Sequence, residues 1–433
     1  MLLVYSPFIT PRIRYIFRLI LSDLFGLEIN FISDKNEFLN SSHPKINYSR
    51  ENLRTGLFVE ASELLFEKNI CEQKIEVFDF ENGKAFFKTS SDSVFPFDLF
   101  AASFYLVSRY EEYLPFKADE HGRYTAEQSM AYKNNFLNMP LVNIWANYLK
   151  QKLQEQYPSL NFKTQNYSAL STIDVDNVFA YKGKGLMRTA GAYVRDILKF
   201  DFEKINERTK VLSGNQVDPF DHYNYQRELK EKYKIEMIYF LLCASTSQYD
   251  NAVSPNSSAY KRLVNYLNEY AEVGLHPSYI SNEKQEKINP ERQLLSTISK
   301  REIIKSRQHF LKLNFPDTYR SLIQAGIKKD YSMGYTTQTG FRASICSPFN
   351  FYDLGREEEI TLQIFPFAVM DFTLCELMKL STDEAISKIN SLIDEVKKVN
   401  GIFISVWHDR TFSNKEIFSG WNTVYEKMIK SAK

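Results

Sequence analysis

From residue 168 onward, apolar runs typical of buried strands alternate with helical patterns. The runs are "ALSTID", "IEMIYFLLC", "AEVGLH", "RQHFLKL", "KDYSMGY", "ITLQIFPFAV" and "GIFISVW". Helical periodicity separates them at 222–233, 257–270, 286–302, 316–325, 381–399 and 418–431. Repeated strand–helix units with continuous apolar strands predict a parallel sheet covered by helices, either open or closed into a barrel. In both forms the active site lies at the carboxyl ends of the strands.

The first 160 residues show a different pattern, in which the short strand candidates "KIEVFDF" and "KAFFKT" mix with long helical stretches. A chain of 433 residues is also longer than a single core usually grows. We therefore predict an accessory α/β domain at 1–160 and a (β/α) domain at 168–433, joined by a linker. We expect the first domain to support the fold, with His121 in the polar loop "KADEHGRY" as its one candidate for contact with a substrate.

The charge and the apolar segments exclude several classes of partner. There are 54 Lys and Arg against 53 Asp and Glu, with no basic block among aromatics, so we expect no nucleic-acid partner. The apolar start "MLLVY" has no basic region before it, and no segment approaches the length of a membrane span. We expect a cytoplasmic protein without a membrane span. The sequence does not indicate an oligomeric state.

Polar residues stand where the predicted strands end. Asp174 and Asp176 close the first strand in "STIDVDN", and side chains at i and i+2 of a strand share a face. Two carboxylates side by side usually need a cation or a proton between them, although an Asp/Asn turn that closes the strand is an alternative. Five further candidates fall at or near later strand ends: His276, His309, Arg342, Asp371 and His408.

The histidines favour a functional site over a turn. The sequence holds six histidines, and three of them, His276, His309 and His408, lie at or within strand runs. A single histidine in an apolar strand is more commonly a core residue than a functional one. In the same way, a single Arg or Asp is more commonly part of an ordinary ion pair. Together, one Asp and two His at one barrel mouth are a usual ligand set for a catalytic divalent metal.

The ordered motifs "DVD", "GLHPSY", "RQHFL", "DYSMGY", "GFRA", "MD" and "WH" resemble those of the polysaccharide deacetylases of the NodB-homology type. These are carbohydrate esterases built on a distorted (β/α)7 barrel, and the resemblance covers about 168–433. It implies that Asp174 is the general base and Asp176 a metal ligand. The family's second motif carries two metal histidines four residues apart. Because Ile280 stands at that spacing from His276, His309 is our candidate for the second histidine.

The same resemblance implies the remaining roles. Arg342 matches the arginine of the third motif and would keep Asp174 ionised, Asp371 would be a charge partner near the base or the acid, and His408 would be the general acid. The implied function is metal-dependent removal of N-acetyl or related acyl groups from an amino sugar in a polysaccharide or glycan precursor, with Zn²⁺ as the expected ion. A metal-dependent amidase acting on a non-sugar amide and a catalytically inactive carbohydrate-binding barrel remain alternatives.

Overall fold

The amino-terminal part of the computed structural model is built on a four-stranded parallel sheet in the order β2-β1-β3-β4. The structure describes residues 1–244, 247, 249–250 and 253–433. The sheet strands are β1 (Leu2–Tyr5), β2 (Ile29–Ile32), β3 (Lys45–Ser49) and β4 (Leu57–Glu60), and a separate hairpin pairs β5 (Phe78–Phe80) with β6 (Gly83–Ala85). The helices are α1 (Pro11–Phe17), α2 (Lys35–Asn40), α3 (Leu99–Val107), α4 (Met130–Lys133) and α5 (Leu141–Gln156).

The second sheet has nine strands in the order β12-β13-β11-β10-β9-β8-β7-β15-β14. They are β7 (Ser168–Val175), β8 (Glu236–Leu242), β9 (Glu272–His276), β10 (Lys305–Ser306), β11 (Lys329–Asp330), β12 (Phe349–Asp353), β13 (Glu358–Ile364), β14 (Val369–Met370) and β15 (Ile402–His408). Only β12 and β13 pair in antiparallel fashion among these described strands. The helices are α6 (Leu186–Leu198), α7 (Phe202–Leu212), α8 (Tyr223–Tyr233), α9 (Ser258–Asn268), α10 (Ile288–Ser299), α11 (Asp317–Gln324), α12 (Thr382–Lys398) and α13 (Trp421–Ser431).

Residues 365–368 connect β11 with β15, which lie on opposite sides of the strands β7 to β10 in the sheet. The N–H of Phe365 donates to Asp330 O (2.8 Å) beside β11, and the N–H of Ala368 donates to Ile404 O (2.9 Å) in β15. A separate apolar cluster, which includes Phe240 and Phe367, packs apart from the main core of the molecule. The predicted fold class is therefore confirmed: an α/β chain with a distorted (β/α)7 barrel that follows a smaller α/β part.

The strand register sets the position of the polar residues. In the parallel pair β7–β15, Asp174 lies opposite His408, and in the pair β8–β9, Leu242 lies opposite His276. Every residue of β8 after Glu236 is buried, as expected for a strand covered on both faces. The carboxyl ends of β7, β9 and β15 therefore meet at one edge of the barrel.

The run "RQHFLKL" does not form the predicted strand. The strand at this position, β10, comprises only Lys305–Ser306, and His309–Leu311 form a 3₁₀ turn. Phe310 and Leu311 have left-handed φ values of 59° and 51°, which end the extended conformation. His309 thus follows a short strand instead of lying inside a long one.

The two parts of the chain share one hydrophobic core. A continuous cluster of buried apolar residues runs from β1 through α3 and α5 to the barrel helices α12 and α13. The division into domains at 1–160 and 168–433 stays a prediction. No helix within the described residues combines the length and the apolar character needed to cross a bilayer.

Candidate active site

Three side chains from neighbouring strand ends converge at the barrel mouth. Asp176 follows β7, His276 ends β9, and His309 follows β10. One ligand atom from each lies within 4.8 Å of the other two. Asp176 Oδ1 is 3.3 Å from His276 Nε2 and 3.6 Å from His309 Nε2. Within the described part of the chain, no other group of three such side chains has this spacing.

The other ring nitrogen of each histidine is held by a fixed partner. His276 Nδ1 lies 2.6 Å from Arg307 O, and because a carbonyl only accepts, this nitrogen carries the proton. His309 Nδ1 lies 3.0 Å from Asp250 Oδ1. These contacts direct both Nε2 atoms toward Asp176, which is the usual arrangement around a metal-binding histidine.

The donor set fits a divalent ion. Asp176 Oδ1 and His276 Nε2 are buried and have no hydrogen-bond partner within the protein. Burial opposes ionisation of Asp176, but the close approach of His276 Nε2 and the charges of His309 and His408 hold the pKa of its carboxyl well below the usual range. Two imidazole nitrogens and one carboxylate oxygen form a ligand set that Zn²⁺ accepts.

Asp174 lies beside a buried arginine at the same strand end. Asp174 is 2% exposed, and its Oδ1 is 3.6 Å from Nε of Arg307. Arg307 donates from Nη2 to Thr172 Oγ1 (2.6 Å) and lies over the ring of Phe240. Asp174 Oδ1 and Arg307 Nε and Nη1 have no hydrogen-bond partner within the protein. Asp174 and Arg307 therefore form a buried ion pair with unsatisfied polar atoms beside the ligand set.

We correct the predicted partner of Asp174 from Arg342 to Arg307. Arg342 Nε donates to Glu112 (2.9 Å), and Arg342 Nη1 donates to Gly334 O (3.1 Å). A buried guanidinium requires such acceptors, and here the carboxylate comes from the first part of the chain. Arg307 was not among the residues predicted from the sequence, although it belongs to the "RQHFL" motif and stands two residues before His309.

His408 and Asp371 form a hydrogen-bonded pair. His408 Nδ1 is 2.7 Å from Asp371 Oδ1, and Asp371 also accepts hydrogen bonds from the N–H of His408 (2.8 Å) and from Thr411 Oγ1. Burial disfavours the imidazolium, but the charge and hydrogen bond of Asp371, with the charges of Asp176 and Asp174, raise the pKa of His408 to about 9. The imidazole is thus protonated near neutral pH. Its Nδ1 bonds to Asp371 and its Nε2 does not, so Nε2–H can donate a proton, as a general acid must.

Asp409 supports the turn that carries Asp176. Its Oδ2 accepts a hydrogen bond from the N–H of Asn177 (2.7 Å), and its Oδ1 accepts one from the N–H of Arg410 (2.7 Å). Burial and the negative charge of Asp176 raise the pKa of Asp409 to about 8. The role of Asp409 is therefore to hold the turn after β7.

Aromatic rings surround the mouth, and one of the ring systems comes from the amino-terminal part. Tyr249 and Tyr279 pack with ring centroids 4.3 Å apart, and Phe310 lies 4.7 Å from His309. His121 Nδ1 is 3.1 Å from Tyr279 Oη, and its ring is 4.9 Å from Phe310. A cleft of about 740 Å³ continues past Tyr249 and Tyr279. The loop that contains His121 therefore reaches the rim of the candidate site.

Comparison with known proteins gives one family match and several structural matches. Residues 2–158 match a family of unknown function (DUF7033). No curated protein sequence matches the chain.

Three solved structures of distant similarity illustrate the structural matches. A proposed polysaccharide deacetylase from Mycobacterium smegmatis has 12% identity and a TM-score of 0.41, over 63% of this chain and 85% of its own. The polysaccharide deacetylase Bc1974 from Bacillus cereus has 11% identity and a TM-score of 0.30, over 61% and 87%. The allantoinase PuuE has 10% identity and a TM-score of 0.36, over 60% and 83%. At such identities and TM-scores these matches do not indicate what this chain does.

Proposed function

We propose that the chain is a metal-dependent hydrolase that removes N-acetyl or related acyl groups from an amino sugar in a polysaccharide or glycan precursor. One observation carries the proposal: a ligand set of one carboxylate and two imidazoles lies beside the Asp174–Arg307 and His408–Asp371 pairs at one barrel edge. Asp176, His276 and His309 would hold the ion. A bound Zn²⁺ would supply Lewis acidity and lower the pKa of water.

The chain's own residues account for the two proton transfers of amide hydrolysis. Asp174, whose Oδ1 accepts no hydrogen bond within the protein, accepts the proton of the attacking water. His408, kept protonated by Asp371, donates a proton to the departing amine nitrogen. Arg307 provides a fixed positive charge beside Asp174. No serine or cysteine nucleophile is needed.

The aromatic rim favours a sugar over a linear amide. Tyr249, Tyr279 and Phe310 offer ring faces and edges beside His309, where the C–H face of a pyranose can pack. Tyr279 Oη and the imidazole of His121 add polar groups that can bind hydroxyls. A ring with one apolar face and a polar edge fits this combination.

The proposal is tested by measuring acetate release and metal content together. Protein loaded with Zn²⁺ is expected to release acetate from N-acetylated amino-sugar oligomers, and His276→Ala and His309→Ala are expected to lose both the metal and the activity. His43→Ala, which changes an exposed histidine, is the matched control and should keep both.

Other outcomes separate the alternatives. Metal binding with hydrolysis of cyclic or linear amides, but without acetate release from any sugar, would identify a non-sugar amidase. Failure of the wild-type protein to bind metal would indicate an inactive barrel. Full metal occupancy in both histidine variants would show that the ligands are wrongly assigned.

A further inference from the structure

The hairpin formed by α6 and α7 exposes an unusual amount of apolar surface. Nine of the 17 large apolar side chains that are exposed among the described residues lie within 186–217. Leu186 and Met187 are 91% and 90% exposed, and Leu198 and Phe200 are 74% and 78% exposed. Contiguous exposed apolar surface of this kind marks an interaction site.

The apolar side chains form one stripe along a folded helix. Met187, Val194 and Leu198 stand at i, i+7 and i+11 of α6, and these positions share a face of a helix. Another face of α6 packs on α7, where Asp196 binds Arg208 with an Oδ2–Nη2 distance of 2.5 Å. Since α6 packs on α7 through this other face, the apolar stripe is left exposed to solvent.

The carboxylate of Asp218 joins the start and the end of the insertion that contains the hairpin. Asp218, at the end of the insertion, accepts hydrogen bonds from the N–H groups of Ala180 (2.7 Å) and Tyr181 (2.9 Å) at its start. The hairpin is thus a defined element attached close to the end of β7.

A cleft lined by cations lies between the two helices. Its volume is about 370 Å³, and five of its ten lining residues are basic while none is acidic: Lys184, Arg188, Arg195, Lys204 and Arg208. Arg208 is 4% exposed, and its Nη1 has no hydrogen-bond partner within the protein. Burial lowers the pKa of Lys184, and the charge of Arg188 lowers it further. Asp196 pairs with both Arg195 and Arg208, and Asp201 pairs with Lys204.

We propose that the α6–α7 hairpin docks on a membrane surface that contains anionic phospholipid. The stripe of Met187, Val194 and Leu198 inserts among the acyl chains, and the basic cleft binds the phosphate of a headgroup. An exposed apolar face beside Lys and Arg is the pattern of helices that lie in the membrane interface. The proposal is independent of the hydrolase function.

Charge decides between a membrane and a second copy of the chain. Residues 182–212 carry eight Lys or Arg against four Asp or Glu. A symmetric dimer through this face would bring two positive clefts together, and like charges across an interface are unfavourable. An anionic surface neutralises the same charges.

The first experiment measures flotation of the full-length protein with vesicles. We expect flotation with phosphatidylcholine vesicles that contain about 30% phosphatidylglycerol, no flotation with phosphatidylcholine alone, and weaker flotation as salt is added. Each basic side chain near an anionic surface contributes about fivefold in binding, so Lys184→Gln with Lys204→Gln should weaken binding on the order of 20-fold. Lys427→Gln with Lys430→Gln, two exposed lysines of α13, removes the same charge and should have little effect.

The second experiment separates the apolar stripe from general surface hydrophobicity. Leu198→Glu should abolish flotation, whereas Phe8→Glu should not, and the two native side chains have matched exposures of 74% and 72%. Circular dichroism of each variant verifies that the fold is retained.

Several results would overturn the proposal. The first is that the wild-type protein does not float with vesicles that contain phosphatidylglycerol, and the second is that it floats equally with vesicles of phosphatidylcholine alone. The third is that Leu198→Glu and Phe8→Glu reduce flotation equally. Stabilisation by inorganic phosphate that depends on Lys184 and Lys204, without flotation, would assign the cleft to a free anion instead. A dimer in light scattering that Leu198→Glu dissociates would assign the stripe to contact between copies.

Discussion

Asp174 and His408 lie opposite each other in neighbouring strands, and they are the proposed base and acid. Asp174→Asn and His408→Ala are each expected to lower kcat about 100-fold, since each removes a positioned proton-transfer group. Metal content should stay unchanged, because neither side chain belongs to the ligand set. Steady-state acetate release and elemental analysis check both points, with exposed Asp92→Asn as the control. Turnover like that of the wild type in either variant would remove that residue from the mechanism.

The His408–Asp371 pair predicts the alkaline limit of activity. Since the pKa of His408 is raised to about 9, the acid form is present below that pH and is lost as pH rises through it. Asp371→Asn removes the main source of the raised pKa, so the value should fall toward the ordinary value of about 6.5. The alkaline limb of kcat/KM should move to lower pH with it, and NMR titration of the His408 imidazole measures the same change without substrate. An unmoved limb and an unmoved imidazole pKa would contradict the assigned role of Asp371.

Asp250 is expected to tune metal binding without touching the ion. It accepts from Nδ1 of His309 and from the N–H of Tyr279, and so fixes the orientation of the imidazole. Asp250→Ala should weaken metal binding about 10- to 100-fold, as measured by competition with a chromogenic chelator. Asp92→Ala, at an exposed position, provides the comparison. Unchanged affinity would mean that His309 is oriented by other contacts.

At the scale of strands and helices, the sequence was most informative where a buried strand ends in a charge. Between the first residue of each strand and Asp174, His276 or His408, the strands β7, β9 and β15 carry no charged side chain, because a strand covered on both faces has no place for an unpaired charge. The start of α12 was equally clear, since Ser381 and Glu384 form the capping box that their spacing indicates.

Other elements left no usable pattern. The strands β10 and β11 have two residues each, which is too short for a period to appear. Helices α6 and α7 are missing from the predicted helical segments, although Met187, Val194 and Leu198 recur at helical spacing. Asp250 lies in the connection after β8, away from any strand-end pattern.

The loop around His121 connects the amino-terminal part to the barrel mouth. Asp119 organises the loop by accepting from the N–H groups of His121 and Arg123, and Arg123 Nη1 donates to Phe310 O (2.8 Å). His121→Ala removes one ring from the rim and should lower kcat/KM about three- to tenfold, mainly through KM, given the usual worth of a single aromatic or hydrogen-bond contact. Steady-state kinetics with intact metal content measures this, and Lys117→Ala, an exposed change in the same loop, is the control. Full activity would leave the loop as structural support, as the sequence suggested.

Across the whole molecule, buried charges join the two parts of the chain. Glu112 accepts from Nε of Arg342 (2.9 Å) and from Nε of Arg109 (2.7 Å), and all three side chains are buried. Arg109 also donates to the carbonyl of Arg342. Partners separated by 230 residues leave no local pattern, which explains why the sequence could not show where Arg342 binds.

Glu112 should therefore be important for stability. Glu112→Gln leaves the buried guanidinium of Arg342 without a carboxylate and Arg109 with Glu111 alone. The free energy of unfolding should fall by about 3 kcal/mol or more, the usual effect of breaking a buried ion pair. Glu127→Gln changes an exposed side chain in the same part of the chain, and its free energy of unfolding should lie within about 0.5 kcal/mol of the wild-type value. Chemical denaturation measures both, and equal stabilities would show that the cluster does not hold the two parts together.

The three proposed metal ligands come from three strand ends that are far apart in the sequence, at 176, 276 and 309. No short segment can form the site alone, so it exists only after β7, β9 and β10 have aligned, and such long-range pairing comes late in folding. An ion bound there stabilises contacts that are not yet formed in the transition state for folding. It would therefore act on the lifetime of the native barrel, slowing its opening, and would leave the rate at which the barrel first assembles nearly unchanged.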